Sequence, residues 1–320
     1  MLCAMLWPAV VTLMLPKKRT RSCQEADSVD STAIKSDSII PQIGRVKSSR
    51  LEWPSILATA KAVVQSYDTS VTLRQLFYRL VAAELLPNTS SAYKSLSSQT
   101  AAARRAGAFP ALIDRTRTIH EDLSFNGVGD AVASTISWYR RDRTEGQECS
   151  IYLAVEKNGL VEQLREWFGN CGFPILALGG YCGQSYVDDV RRHVERQDRP
   201  AILLYAGDFD PSGEDIDRDF VARTDCWTKV QRVALTAEQV ERFDLPPQPG
   251  KSSDSRARAF TERHGRLVQV EVDALPPDTL KRLFKEAVEP LWDTSIFDDV
   301  VAQEDAERDV LKALAAGGAK

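Results

Sequence analysis

The chain has 320 residues, of which 43% are hydrophobic and 27% are charged, and its 17 glycines and 15 prolines are unremarkable in number. These values exclude a low-complexity, collagen-like or wholly disordered protein, and the length allows two globular domains. The net charge of −4 excludes a uniformly basic nucleic-acid-binding protein.

Charge and cysteine are distributed in ways that narrow the class further. Residues 1–150 carry 19 Lys and Arg against 14 Asp and Glu, whereas residues 151–320 carry 22 against 31. A basic first half and an acidic second half are typical of a polyanion-binding module joined to a cation-binding one.

The six cysteines form no CxxC pair and lie at no zinc-ligand spacing from a histidine. We therefore expect reduced thiols in a cytoplasmic protein.

The amino-terminal segment differs from the rest of the chain. Residues 1–16 are apolar and are followed by the basic run 17–21, whereas a signal peptide has its positive charges first. The apolar run is also too short to span a bilayer. Because residues 22–44 have no hydrophobic period, we interpret residues 1–45 as a disordered tail or as the product of too early a start codon. A membrane anchor is the alternative.

The next segments predict helices. Apolar residues recur at helical spacing over Trp53–Tyr67 and again over Thr72–Val81. Thr72 and Gln75 form a candidate capping box at the start of the second helix. Arg74 and Tyr78 lie one turn apart at the edge of its apolar stripe, so the two side chains can meet.

A further helix is predicted over Ser91–Ala106, and it begins a series of basic side chains. Two helices around a short turn predict a helix-turn-helix or winged-helix unit, with Ser124–Gly129 as its wing or a loop. A helix over Ala131–Tyr139 and a charged linker then end a domain that we place at residues 46–145. The candidate DNA-binding residues of this domain are Lys94, Arg104, Arg105, Arg115 and Arg117.

From Ser150 onwards, strands alternate with helices, and the last predicted strand covers Leu267–Val272. Ile151–Val155 and Ile202–Leu204 are short aliphatic runs of the kind that form strands buried on both faces of a parallel sheet. The first run ends at Glu156, and the second is followed by Asp208 and Asp210. Open α/β sheets have their functional sites at the carboxyl ends of such strands.

The carboxylates at these strand ends are candidate metal ligands. Asp208 and Asp210 are two residues apart, so in an extended backbone they project to one side, with Cβ atoms about 7 Å apart. Carboxylates brought to ~4 Å repel by ~4 kcal/mol at an effective dielectric constant of 20, and Mg²⁺ between them removes that cost. A solvated acidic turn is the alternative for the Asp pair alone. Glu156, at a second strand end, favours the metal site.

Three motifs carry a resemblance to a known family. SIYLAVEKNGL and GDFDPSGEDI resemble the Toprim domain of topoisomerases, primases and related nucleases, in which one Glu and a DxD pair hold Mg²⁺. With TLRQLFYRL before them, they resemble the A subunit of topoisomerase VI, a type IIB DNA topoisomerase, and the related meiotic double-strand-break transesterase. The resemblance covers roughly residues 50–290. Within the family, the chain most resembles the stand-alone bacterial relatives of the A subunit.

The resemblance implies an α/β protein that begins with a mostly helical, CAP-like winged-helix domain. Residues 146–320 would then form a Toprim domain with a mainly parallel sheet and a helical extension at its carboxyl end. It implies that Tyr78 attacks duplex DNA to form a 5′-phosphotyrosyl link, with Arg74 in support. A phenol has a pKa of about 10, so such a nucleophile needs nearby positive charge. Glu156, Asp208 and Asp210 would hold Mg²⁺.

The family also works as a homodimer in which each tyrosine faces the partner's metal site. We therefore expect a homodimer associated with the nucleoid in the cytoplasm. The chain has no GHKL-type ATPase region, which topoisomerase VI has on a separate B subunit, so strand passage and such a partner stay open.

Two other functions are compatible with the same residues. One is a non-catalytic DNA-binding module, and the other is a Toprim nuclease that uses water, with Tyr78 structural. A haloacid-dehalogenase-type phosphatase fits less well, because it has its DxD at the first strand and no upstream strand-end Glu. Lys251, Asp254 and Arg256 are interpreted as residues that order a loop or contact the DNA backbone.

Overall fold

The computed structural model describes residues 52–113, 122–250 and 253–317. The described residues belong to one compact unit. The tail predicted over residues 1–45 lies outside them, as do Arg115, Arg117 and Lys251.

Helices dominate the described residues. The helices are α1 (Trp53–Gln65), α2 (Leu73–Ala82), α3 (Ser90–Arg105), α4 (Val128–Trp138), α5 (Val161–Phe168), α6 (Gln184–Glu195), α7 (Pro211–Thr224), α8 (Ala237–Arg242), α9 (Ala257–His264), α10 (Pro277–Val288) and α11 (Thr294–Gly317). The strands are β1 (Ser150–Val155), β2 (Ile175–Ala177), β3 (Ala201–Ala206), β4 (Lys229–Ala234), β5 (Gln248–Pro249) and β6 (Val268–Gln269). Within those ranges, no helix combines the length and the apolar character that crossing a bilayer requires.

A four-stranded parallel sheet, in the order β2-β1-β3-β4, organises the second half of the chain. Both central strands are buried along their whole length. Alternate residues of β1 face opposite layers: Leu153 packs in the core that contains α5, and Tyr152 packs in the core that contains α6 and α7. The prediction of an α/β fold with a parallel sheet is therefore confirmed.

The register of the two central strands aligns the predicted acidic residues. Val155 lies beside Ala206, so the chain leaves both strands at the same edge, into Glu156 and into Gly207-Asp208. Gly207 has no room for a side chain there, because a Cβ atom would overlap the phenolic oxygen of Tyr205. Because β1 and β3 stay in register to their ends, Glu156 and Asp208 reach the same edge of the sheet.

The last predicted strand, over Leu267–Val272, is shorter and differently placed than expected. Only Val268–Gln269 is a strand, and it pairs antiparallel with β5 outside the parallel sheet. Beyond it, the Phe209 and Val270 backbones exchange two hydrogen bonds of 2.8 and 3.0 Å. The chain then turns into a short 3-10 helix at Val272–Ala274. It therefore crosses the carboxyl edge of the sheet instead of joining it.

The amino-terminal helices pack directly on this edge. The capping box at the start of α2 is present, with Thr72 and Gln75 each accepting a backbone N–H of the other. Between α3 and α4, the described residues contain no β-hairpin, and their one bridge joins Thr72 and Ile113. The loop alternative for Ser124–Gly129 thus agrees with the structure up to Gly127, and α4 begins at Val128.

A buried ion cluster fastens the linker before β1 to α11. Glu304 has no exposed side-chain surface and accepts hydrogen bonds from the Arg143 guanidinium at 2.7 and 3.1 Å. Arg308 donates to it at 2.6 Å, and the backbone N–H of Arg141 donates at 3.1 Å. We name Glu304, Arg141, Arg143 and Arg308 the Glu304 cluster.

Candidate functional site

Two predicted metal ligands, Glu156 and Asp208, are in direct contact at the carboxyl edge of the sheet. The backbone N–H of Asp208 donates to Oε2 of Glu156 at 2.9 Å. Oδ1 of Asp208 accepts the backbone N–H of Val272 at 3.0 Å. Both side chains are nearly buried. One oxygen of each carboxylate is thus held by a peptide group, and the other is left for a cation.

Lys157 supplies that cation in this structure. Its ammonium donates to Oε1 of Glu156 at 3.3 Å and to Oδ2 of Asp208 at 2.5 Å. The side chain as a whole is 28% exposed. Lys157 lies within the SIYLAVEKNGL motif, but the sequence alone assigns it no role. Sequence reasoning missed it because a lysine beside a glutamate is usually a solvated pair.

The third predicted ligand, Asp210, is differently engaged. It is the N-cap of α7, and its Oδ1 accepts the backbone N–H of Gly213 at 2.7 Å. Burial raises the pKa of Asp210, while the Gly213 N–H acts to lower it. Asp210 therefore lies at the same edge as Asp208 but serves the first turn of a helix.

Two further acids, which sequence reasoning missed, join the site from the segment after β6. The Glu271 carboxylate forms a bidentate ion pair with the Arg74 guanidinium. Asp273 lies 3.8 Å from Nε of Arg74 and is nearly buried. The signal was the Glu-Val-Asp alternation, which repeats the spacing of Asp208 and Asp210 in a segment we had read as a continuing strand.

We name this group the sheet-edge cluster. Its members are Glu156, Asp208, Glu271 and Asp273, with Lys157 and Arg74 as cations. Four carboxylates thus share two cations, and the electrostatics reflect the deficit. Burial raises the pKa of Asp208 to about 7, and the charge of Glu156 adds to this effect. Burial also raises the pKa of Asp273 to about 6, with Arg74 opposing it.

Tyr78 lies deeper than the edge of an apolar stripe would place it. Only 3% of the residue is exposed, and its ring packs edge-on against Phe77. Its hydroxyl oxygen accepts a hydrogen bond from the Gln248 amide at 3.2 Å. Burial raises the pKa of the phenol well above its ordinary value, the charge of Glu271 adds to this, and Arg74 opposes it. In this conformation the phenol is a weak nucleophile.

Two adjacent clefts meet at Arg74 and Tyr93, which line both. The Glu156 cleft has a volume of about 630 Å³ and is lined also by Lys157, Arg104 and Asp273. The Tyr78 cleft has a volume of about 600 Å³, and its further lining includes Tyr78, Lys94, Gln248 and Glu271. The helical layer and the sheet edge thus bring the tyrosine, three of the acids and four cations of one chain to two adjacent hollows.

The predicted DNA-binding residues divide between these clefts and the surface. Lys94 lines the Tyr78 cleft and Arg104 lines the Glu156 cleft, while Arg105 is exposed at the end of α3. Arg256 forms ion pairs with Asp254 at 2.9 Å and with Asp215 at 3.3 Å. This pairing agrees with the loop-ordering interpretation of the two residues.

The residues at the sheet edge fit Mg²⁺ in chemistry but not in their present arrangement. Carboxylate oxygens are the ligands that Mg²⁺ prefers. Among the described residues, however, no three His, Cys, Asp or Glu side chains are grouped so as to hold a metal ion. The Lys157 ammonium lies between the two acids that would be bridged. A metal would have to take its position.

Comparison of the chain with protein-family models and with curated proteins finds no match.

Proposed function

We propose that the protein is a Mg²⁺-dependent DNA-cleaving transesterase, in which Tyr78 is the nucleophile and the sheet-edge cluster is the cation site. The winged-helix and Toprim arrangement, the duplex DNA substrate and a homodimer are part of this proposal, but the tyrosine and the acids that it combines belong to one chain, whereas the resemblance implies a tyrosine that faces the partner's metal site. One observation carries it. The helix bearing Tyr78 is docked on the acidic sheet edge through the bidentate pair between Arg74 and Glu271, so nucleophile and acids border adjacent clefts.

The reaction that fits these groups is an exchange of phosphodiester bonds. The phenolic oxygen of Tyr78 forms a bond to phosphorus, the bond from phosphorus to the 3′ oxygen breaks, and the 3′ oxygen takes up a proton as the phenol loses one. When bound, Mg²⁺ would neutralise charge on the phosphate. Arg74 and Arg104 offer guanidinium groups to the phosphate oxygens, and Lys94 offers an ammonium beside the phenol.

The present state of Tyr78 is a resting state in this proposal. Burial and the negative charge of Glu271 disfavour the phenolate, and the Gln248 amide occupies the phenolic oxygen. A DNA phosphate in the Tyr78 cleft would draw the Lys94 ammonium towards the phenol, beside Arg74 that stays paired with Glu271, and would compete with that amide. Substrate binding would thus supply the positive charge that a tyrosine nucleophile requires.

The same burial of Tyr78 favours a second candidate, a nuclease that uses water at the sheet edge. In that mechanism the phenol only supports the packing of α2, where it contacts Phe77. The two candidates differ in their product, because water leaves a free 5′ phosphate and tyrosine leaves a protein-linked 5′ end.

The deciding experiment is a search for covalent protein–DNA adducts. Supercoiled plasmid is incubated with the protein and Mg²⁺, denatured, and treated with protease before the ends are mapped. We expect broken DNA with peptide on 5′ ends for the wild type and none for Tyr78→Phe. Tyr186→Phe is the matched control, because Tyr186 packs near Phe220 on the far face of the sheet.

Three other outcomes would redirect the assignment. Cleavage by Tyr78→Phe at the wild-type level, with free 5′ phosphates, would establish the water mechanism. Salt-sensitive DNA binding without cleavage, unchanged by chelator or by Asp208→Asn, would establish a non-catalytic binding module. Cleavage that persists in excess chelator would exclude the metal.

A further inference from the structure

The sheet-edge cluster already contains a cation that belongs to the chain. The Lys157 ammonium contacts one oxygen of Glu156 and one of Asp208, and peptide N–H groups hold the other oxygen of each. All four oxygens of this acid pair are therefore occupied without any ion from solution. The neutralisation is incomplete, because one ammonium faces two carboxylates, with Glu271 and Asp273 close by.

We propose that Lys157 is a built-in competitor for the divalent cation, holding the acid pair together in the metal-free protein and leaving it when Mg²⁺ or Mn²⁺ binds. This proposal rests on the proposed function, since it concerns the metal site of that function. It also explains why, in the part of the chain that the structure describes, no three acids are grouped for a metal while the lysine is in position.

Geometry gives the displaced ammonium a place to go. Lys157 lines the Glu156 cleft together with Arg74 and Arg104, and a quarter of its side chain is already exposed there. A divalent ion between the acids would repel the ammonium while satisfying the same oxygens more completely. The long flexible stem of lysine lets the head group turn into the cleft, where phosphate oxygens of a substrate would accept from it.

The residue type matters to this exchange. A lysine ammonium is a compact point charge that a small cation can replace at the same oxygens. The other basic group at the edge, Arg74, is fixed by two parallel hydrogen bonds to Glu271 and is not placed between Glu156 and Asp208. Lys157 is therefore the group whose removal opens the acid pair.

The test is metal binding, measured without DNA. Free Mn²⁺ is followed by electron paramagnetic resonance during titration of the full-length wild type, Lys157→Gln and Lys157→Arg. We expect Lys157→Gln to bind Mn²⁺ at least tenfold more tightly than the wild type, and Lys157→Arg to gain nothing. Lys229→Gln is the matched control, because this exposed lysine begins β4 at the opposite end of the sheet.

A second measurement uses the unaltered protein, in case the substitution impairs folding. Amine acetylation of Lys157, read by mass spectrometry, should become several-fold faster on saturation with Mg²⁺, with Lys229 as the internal reference. Equal Mn²⁺ affinity of wild type and Lys157→Gln, or acetylation that Mg²⁺ does not change, would overturn the role of Lys157 alone. Absence of Mn²⁺ binding in every variant would overturn it together with the metal in the proposed function.

Discussion

The sheet-edge cluster and the Glu304 cluster are both buried groups of acids and basic residues, but their balance is opposite. At the sheet edge, four carboxylates share the charges of Arg74 and Lys157, and burial raises the pKa of Asp208 and of Asp273. Glu304 alone receives two guanidinium groups and a peptide N–H, and its hydrogen bonds with Arg143 hold its pKa down at about 2. The first cluster is short of positive charge and opens into a cleft, whereas the single carboxylate of the second is fully buried and has both oxygens hydrogen-bonded.

This difference distinguishes a candidate ligand-binding site, the sheet-edge cluster, from a purely structural ion cluster, the Glu304 cluster. A saturated cluster gains nothing from a further ion, so its role is to hold the linker and α11 together. A cluster with excess negative charge is stabilised by any cation that reaches it, which is what a metal or substrate site requires. Measurements that exchange or remove single charges should therefore have opposite effects in the two places.

The largest loss of stability is expected for Glu304→Ala. Removing this carboxylate leaves the buried Arg143 guanidinium with only neutral acceptors on Asn170, while Arg308 keeps its pair with Asp305, so the free energy of unfolding should fall by about 3 kcal/mol. Urea unfolding at neutral pH measures it. A loss below 1 kcal/mol would show that the Glu304 cluster does not fasten the fold.

Asp273→Asn should act in the opposite direction. Since the folded-state pKa of Asp273 is raised to about 6 from an ordinary 3.8, the wild type loses stability as the pH rises from about 4 to about 6. The variant should escape that loss and be more stable than the wild type by about 3 kcal/mol at pH 8. At pH 4 the two proteins should unfold at nearly the same urea concentration. A variant that is destabilised at pH 8 would mean that Asp273 is as well paired as Glu304.

Arg74→Ala is expected to cost about 1–2 kcal/mol, because it leaves the buried Glu271 and Asp273 carboxylates without their cation while the arginine itself is 43% exposed. The cost should be larger at pH 8 than at pH 5, since Asp273 is charged only above about 6. Urea unfolding at the two pH values measures both. A cost that does not change with pH would remove Asp273 from the cluster.

The smallest effect is expected for Glu307→Ala, next to the Glu304 cluster. Glu307 pairs with Arg141 at 2.7 Å, but a third of its side chain is exposed, so solvent screens the pair. Its removal should leave the midpoint of urea unfolding almost unchanged. A loss as large as that of Glu304→Ala would mean that position, and not burial, decides the strength of ion pairs on α11.

Sequence reasoning reached the parts of the fold that depend on local pattern. The buried strands β1 and β3, the capping box of α2 and the arrival of Glu156 and Asp208 at one edge follow from periodicity and from the geometry of parallel sheets. The partnership of Arg74 could not be foreseen, because Glu271 lies almost 200 residues later in the chain. The depth of Tyr78 was missed for a related reason: whether the edge of a helical stripe is covered depends on Gln248, a remote residue.

The backbone bridge between Phe209 and Val270 has a consequence for how the site would respond to a ligand. Asp208 directly precedes Phe209, and Glu271 directly follows Val270. The bridge therefore ties the loop that carries Asp208 to the segment that carries Glu271. Glu271 in turn forms the bidentate ion pair with Arg74 on α2. We expect a pull on the Asp208 loop to be transmitted through two hydrogen bonds and one ion pair to the helix of Tyr78. We therefore expect the binding of a cation at the sheet edge to affect the position of the helix that carries Tyr78.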